Sequence, residues 1–210
     1  TAGTGRRMIW WFLPKVIKSG SRRLRHLVIT FFLLFILSLN AAATDGFAGQ
    51  WTARWISHPE CAPDEFGVCY FKKKIFFHQI PKQLNIHVSA DNRYRLFVNG
   101  SFVGFGPATG DFDHWYFETY DIARFLKSGE NVVAAMVWNM GKHSGAAQLS
   151  HRTGFILQCD DDSSLNSSEQ WMTRTDPAFS PIPVIVGKDV RGGFLAPACI
   201  EIDGRKSVWD

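Results

Sequence analysis

From Gly46 onward, apolar and polar residues alternate with a period of two, the signature of strands that bury one face. Leu84, Ile86 and Val88 alternate with Asn85, His87 and Ser89, and Tyr94 to Val98 repeats the pattern just before Asn99-Gly100. That dipeptide stands between the two alternating runs of DNRYRLFVNGSFVG (91–104). It predicts a tight hairpin, because the favoured two-residue turns need positive φ at both central residues. Val132 to Trp138 (VVAAMVW) is a continuous apolar run, as expected of a strand covered on both faces. Further strands are predicted over Val68 to Phe77, Trp115 to Asp121, Gly154 to Gln158 and Trp171 to Thr173. Asp121 to Leu126 (DIARFL) reads as a helical turn closed by Lys127-Ser128-Gly129-Glu130. Many short strands between Gly, Asp, Asn and Pro turns specify an all-β fold, a β-sandwich of the jelly-roll kind.

The chain divides into three parts: 1–43, a β-sandwich over 46–175, and 176–210. In the first, Ser21 to His26 (SRRLRH) is a positive region, Leu27 to Leu39 is a thirteen-residue apolar core, and Ala41-Ala42-Ala43 supplies a cleavage signal. Together they read as a signal peptide, with the mature chain starting near Thr44. A buried helix and an uncleaved membrane anchor through 27–39 are the competing readings, although the apolar core is shorter than the roughly 20 residues a spanning helix needs. The expected location is periplasmic or extracellular. The third part, from Asp176, carries Pro177, Pro181 and Pro183. It reads as a linker followed by the start of a second domain. Thr1 in place of Met and the ending Ser207-Val208-Trp209-Asp210 are expected of a piece of a longer protein.

Charge removes one class of partner. Residues 1–43 hold seven positive charges and no acid, so the formal charge of +4 becomes −3 once they are removed. A nucleic-acid partner would require a basic folded surface, so none is expected. Eight tryptophans and eighteen phenylalanines must either fill the core or form an exposed binding surface.

Several groups carry possible chemistry. Asp111, Asp113, Glu118 and Asp121 crowd four carboxylates into one stretch, but no spacing sets two of them at the separation a glycosidase acid and base require. His114-Trp115-Tyr116-Phe117 offers rings that stack on the apolar faces of sugars beside polar groups for the hydroxyls. Alternation on a strand puts Trp115 and Phe117 on one face and His114 and Tyr116 on the other, and one of these faces is core. Asp91-Asn92 supplies two hard oxygen donors in a turn, the beginning of a calcium site that needs six to eight oxygens, or simply turn residues that cap local amides. Asp160-Asp161-Asp162 lacks the spacing of a calcium loop. Arg93 and Arg95 flank Tyr94 on one strand face, suited to hydroxyls, a carboxylate or a cross-strand acid. In an oxidising compartment Cys61 and Cys69 are placed to close the loop CAPDEFGVC, while the state of Cys159 and Cys199 stays open. The cysteine and histidine spacings do not suit zinc. No Ser/His/Asp set, phosphate-cradling loop or dinucleotide fingerprint is present in the sequence.

The ordered set SADNRYRLFVNGSFVGFGPATGDFDHWYFETYDIARFL, LKSGENVVAAMVWNMG and RTGFILQCD resembles the N-terminal β-sandwich region of bacterial α-L-rhamnosidases. WTARWISHP, GVCYFKKKIFF and IDGRKSVWD resemble it too, so the resemblance spans about 47–210. It implies a galactose-binding-like sandwich belonging to an exported hydrolase that removes terminal α-L-rhamnose by inversion. Its two catalytic carboxyl groups would sit in a six-hairpin barrel downstream, so no catalytic residue is expected in this chain. The sandwich would support that barrel and contribute sugar contacts through Asp111, His114 or Trp115. In related rhamnose-binding sandwiches an Asp-Asn pair holds calcium and sugar, which maps onto Asp91 and Asn92. The alternative from another class is a stand-alone carbohydrate-binding or adhesion module.

Overall fold

The structure, a computed structural model, describes residues 49–182 and 198–208. The expected signal segment and the 27–39 anchor lie outside the described residues. Eight strands build the sandwich: β1 (Gly67–Phe77), β2 (Asn85–Asp91), β3 (Arg93–Val98), β4 (Ser101–Gly106), β5 (Glu118–Asp121), β6 (Gly129–Asn139), β7 (Gly154–Cys159) and β8 (Met172–Thr175). They form a five-stranded sheet in the order β4-β3-β6-β1-β8 and a three-stranded sheet in the order β5-β2-β7. All of these pairings are antiparallel.

Period-two alternation supplies the core between the sheets. Phe71, Tyr94, Leu96, Val98, Val133 and Val137 of the larger sheet are fully buried, as are Ile86, Val88, Phe155 and Leu157 of the smaller one. Phe155 sits centrally, its ring centroid 5.2 Å from Phe71, 5.4 Å from Trp171 and 6.5 Å from Tyr94.

The β3–β4 hairpin turns on Asn99 (φ 51) and Gly100 (φ 80), the two positive values that the turn demands. Asn99 also reaches beyond the turn. Its amide donates to Asn131 Oδ1 at 2.7 Å and to the Phe125 carbonyl at 2.9 Å, and its Oδ1 accepts the Val132 N–H at 3.0 Å. Farther along β4, a Cβ on Gly104 would lie 2.5 Å from the Tyr120 ring, so glycine there lets Tyr120 cross the strand. Tyr120 Oη then donates to the Phe105 carbonyl at 3.0 Å.

Three expectations need correction. The VVAAMVW run is not covered on both faces: Val133, Ala135 and Val137 are buried, while Val132, Ala134, Met136 and Trp138 are half-exposed. No second layer covers that side among the described residues. Its cross-strand neighbours are Lys72 opposite Ala134 and Arg95 opposite Met136, whose aliphatic stems give partial shelter. The strand predicted from Trp115 begins only at Glu118. The proline-marked stretch after Asp176 is not irregular throughout. Residues Phe179–Ile182 pair with Cys199–Ile202, Pro181 standing opposite Ile200, as β9 and β10. In a ribbon of two strands each strand has an open edge, so a residue without an N–H is accommodated.

Candidate functional site

The outer face of the three-stranded sheet is unusually covered. β2 and β7 are buried along almost their whole length, because residues 51–57 run over β7 and the loop 111–117 runs beside β2. Gln158 Oε1 accepts the N–H of Thr52 at 2.6 Å and of Ala53 at 3.1 Å. Ile56 and Phe155 exchange two backbone hydrogen bonds, both 2.9 Å. Ser89 Oγ donates to the Tyr116 carbonyl at 2.7 Å. His87, which alternates with Ile86 and Val88, is buried under the rings of Trp51 and Phe117 and hydrogen-bonds Asp160 at 2.8 Å and Thr119 at 2.9 Å.

Where these two segments meet the end of β2, a cleft of about 420 Å³ opens, lined by Trp55, Ser57, Asp91, Phe112, Trp115, His151 and Arg152 among others. Its walls are rings. Trp55 meets Trp115 edge to face, centroids 6.2 Å apart at 87°, and Phe112 lies 4.4 Å from His151. Trp55 and Phe112 are each 49% exposed, so their faces are open to a ligand. Trp115 Nε1 is buried without a hydrogen-bond partner, on the wall between this cleft and a small cavity lined by Asn92, Arg93, Thr109 and Leu149. Arg93 holds the loop there by donating to the Pro107 carbonyl and to Thr109 Oγ1.

The structure thus brings together only some of the residues singled out from the sequence. Asp91 and Trp115 line the cleft, and Asn92 faces the neighbouring cavity. Asp111 and His114 pair with one another in the exposed loop at 3.0 Å. The backbone N–H and ring of His114 hold the Asp111 carboxyl below the usual carboxylate range, as expected for an Asx turn. Glu118 and Asp121 serve backbone amides: Glu118 accepts from Ala108 at 3.3 Å, and Asp121 from Leu84 and Ala123 at 2.9 and 3.0 Å. Sequence reasoning missed His151, and it took Trp55, Phe112 and Arg152 only as parts of a resemblance.

The Asp91-Asn92 pair does not fit a calcium site. Asp91 Oδ2 accepts the backbone N–H groups of His151 (2.6 Å) and Arg152 (3.1 Å), and Oδ1 accepts the amides of Asn92 (2.8 Å) and Asn139 (3.1 Å). Four N–H donors already fill the carboxylate's roughly four acceptor positions, and each points a partial positive charge at the place a cation would take. Asn92 spends its own amide on the Leu149 carbonyl at 3.0 Å. Among the described residues no group of three or more acids, histidines or cysteines is arranged to hold a metal. The pair is a buried hydrogen-bond hub that ties β2 to β6 and to the loop at the cleft's edge.

Cys61 and Cys69 come together, their Sγ atoms 2.7 Å apart and both residues buried. Cys159 is buried and Cys199 exposed.

Comparison with known proteins gives these features a context. Residues 79–170 match the family model described as the alpha-L-rhamnosidase N-terminal domain. An α-L-rhamnosidase of Formosa agariphila is 31% identical over 80 residues, a stretch that spans 36% of this chain and 8% of that protein. Among solved structures, a GH78 family rhamnosidase of Bacillus sp. GL1 aligns over 76% of this chain and 17% of its own, with 24% identity and a TM-score of 0.63. An α-L-rhamnosidase from Dictyoglumus thermophilum aligns over 70% of this chain and 20% of its own, with 19% identity and a TM-score of 0.53. The described chain therefore spans a small fraction of the length of these relatives and shares their sandwich fold. Residues 79–170, from just after β1 to just before β8, are thus similar to the alpha-L-rhamnosidase N-terminal domain, and the sandwich has the fold seen in the two rhamnosidase structures.

Proposed function

We propose that this chain is the non-catalytic N-terminal portion of an exported glycoside hydrolase acting on terminal α-L-rhamnosides, and that its aromatic cleft contacts carbohydrate. The observation that carries the first part is the family match over 79–170. Exported location is supported by the positive, apolar and small-residue segments of 21–43. Asp111, Glu118 and Asp121 serve backbone amides, which agrees with a catalytic pair supplied by a downstream barrel of the same polypeptide.

The cleft supports the second part. Ring faces of Trp55, Phe112 and Trp115 suit the C–H faces of a pyranose, and the buried, unpartnered Trp115 Nε1 marks a donor near the same wall. Because all of these residues belong to this chain, a stand-alone carbohydrate-binding or adhesion module is the second reading.

The test has two arms. The polypeptide extended through its downstream region is assayed on an aryl α-L-rhamnoside against other aryl glycosides, while the 210-residue chain alone is titrated with rhamnose and rhamnose-containing glycans. Hydrolysis of the rhamnoside by the longer protein only, with binding by the chain, supports the proposal. Absence of any coding sequence downstream would leave the module reading. Preference for another aryl glycoside would overturn the rhamnoside assignment, and no binding by the chain would overturn the role of the cleft.

A further inference from the structure

We propose that Cys61 and Cys69 form a disulfide, and that this bond staples the segment carrying one wall of the aromatic cleft to the five-stranded sheet. The two thiols are buried and in direct contact, their Sγ atoms 2.7 Å apart, so a small approach of the two sulfurs would reach the roughly 2.05 Å of a formed bond. Neither partner is on a free loop. Cys69 lies in β1, opposite Val137 on one side and Thr175 on the other. The Cys61 N–H is held by the His58 carbonyl at 3.0 Å. Upstream of Cys61, Ser57 Oγ donates to the Thr153 carbonyl at 2.6 Å and Ile56 bridges Phe155. Trp55 therefore stands at the end of a short tether whose other end is the thiol pair.

The chemistry favours one order of events. The hydrogen bond from the Cys69 thiol brings the Cys61 thiol down to about 7, whereas the same contact pushes Cys69 up. Of the two, Cys61 is the thiol favoured to lose its proton and attack, and a small-molecule disulfide such as oxidised glutathione is the oxidant. Cys61 Sγ bonds to one glutathione sulfur and expels the other glutathione. Cys69 Sγ, losing its proton, then attacks Cys61 Sγ and expels the second. Two protein thiols are oxidised by two electrons and one glutathione disulfide is reduced to two thiols, which take up the two protons.

The test equilibrates the full chain in glutathione buffers from fully reduced to fully oxidised, quenches with acid, alkylates and maps the peptides by mass spectrometry. The expected result is a single link joining Cys61 to Cys69 at the oxidised end and alkylation of both at the reduced end. The oxidised form is expected to melt about 5–8 °C above the reduced form, a gap absent in the Cys61→Ser, Cys69→Ser double variant. Alkylation of both cysteines in the most oxidising buffer, or a link from either to Cys159 or Cys199, would overturn the pairing. Equal melting temperatures of linked and reduced protein would overturn the staple. The inference stands on the thiol geometry and does not depend on the sugar-binding role of the cleft.

Discussion

The backbone N–H of His151 donates to Asp91 Oδ2 across 2.6 Å. The last residue of β2 thereby fixes the loop that lines the edge of the cleft, and the same carboxylate takes three further N–H donors. Asp91 is 4% exposed, and the donors Asn92 and Asn139 are buried with it, so these two amides have no ready access to water as a substitute. Asp91→Ala is expected to cost about 2–4 kcal/mol, since removing one partner strands buried donors that were bonded to a charge. Asp91→Asn also destabilises, because its amide turns an N–H toward other N–H groups. The shift of the urea midpoint at constant slope measures both.

A carboxylate saturated with amides has a second consequence. Added calcium or its chelator is expected to leave the melting temperature unchanged, because a ligand stabilises only when it binds the folded state better than the unfolded one. A rise of several degrees with calcium would contradict the hydrogen-bond geometry at Asp91.

Asn131 is fully buried, and its four hydrogen bonds are all made: Oδ1 accepts from Asn99 and Lys127, and Nδ2 donates to the carbonyls of Lys127 and Gly129. Asn131→Ala is expected to cost about 2–4 kcal/mol by orphaning buried backbone groups. Asn99→Ala loses the same link and also strains a position at φ 51, for about 1–3 kcal/mol. If the two residues act as one unit, the double variant costs clearly less than the sum, which a double-mutant cycle reads directly.

Phe155 is the ring on which the core converges. Phe155→Ala is expected to cost about 3–5 kcal/mol, from lost transfer energy plus the cavity left among Phe71, Tyr94 and Trp171. Calorimetry or denaturant unfolding measures the loss.

Tyr70, Tyr94 and Tyr120 set the alkaline limit. Burial is the largest cause in each case, and it holds all three hydroxyls protonated above their ordinary range. Above about pH 10 the unfolded chain releases tyrosine protons that the folded chain keeps, so it binds fewer protons and stability falls as pH rises. Below that pH both states are neutral and the contribution is intact. Tyr94→Phe is expected to flatten the alkaline fall. Melting curves from pH 8 to 11 test this.

Most of the fold was legible in the sequence because a sheet with one buried face writes itself as alternation. Leu96 and Val98 had to face inward once Arg95 and Phe97 faced outward, and Asn99-Gly100 fixed where the strand turned. The site was less legible. Trp115 and Asp91 drew notice by residue type, but Trp55, Phe112 and His151 lie far apart in the chain and share no motif. The burial of His87 was hidden for a related reason. Alternation assigns it to the outer face of β2, and only the rings of Trp51 and Phe117, brought over from elsewhere, make that face a second interior.

By itself, the sequence determined the strands, their order of polarity and the hairpin, since these depend on neighbours within a few positions and on the φ preferences of Asn and Gly. Only the tertiary structure decided that Asp91 is an amide acceptor and a poor cation ligand, and that three separated aromatic residues form one cleft. Those outcomes depend on which donors and rings are carried to the same point by long-range strand pairing. Local patterning holds no record of that.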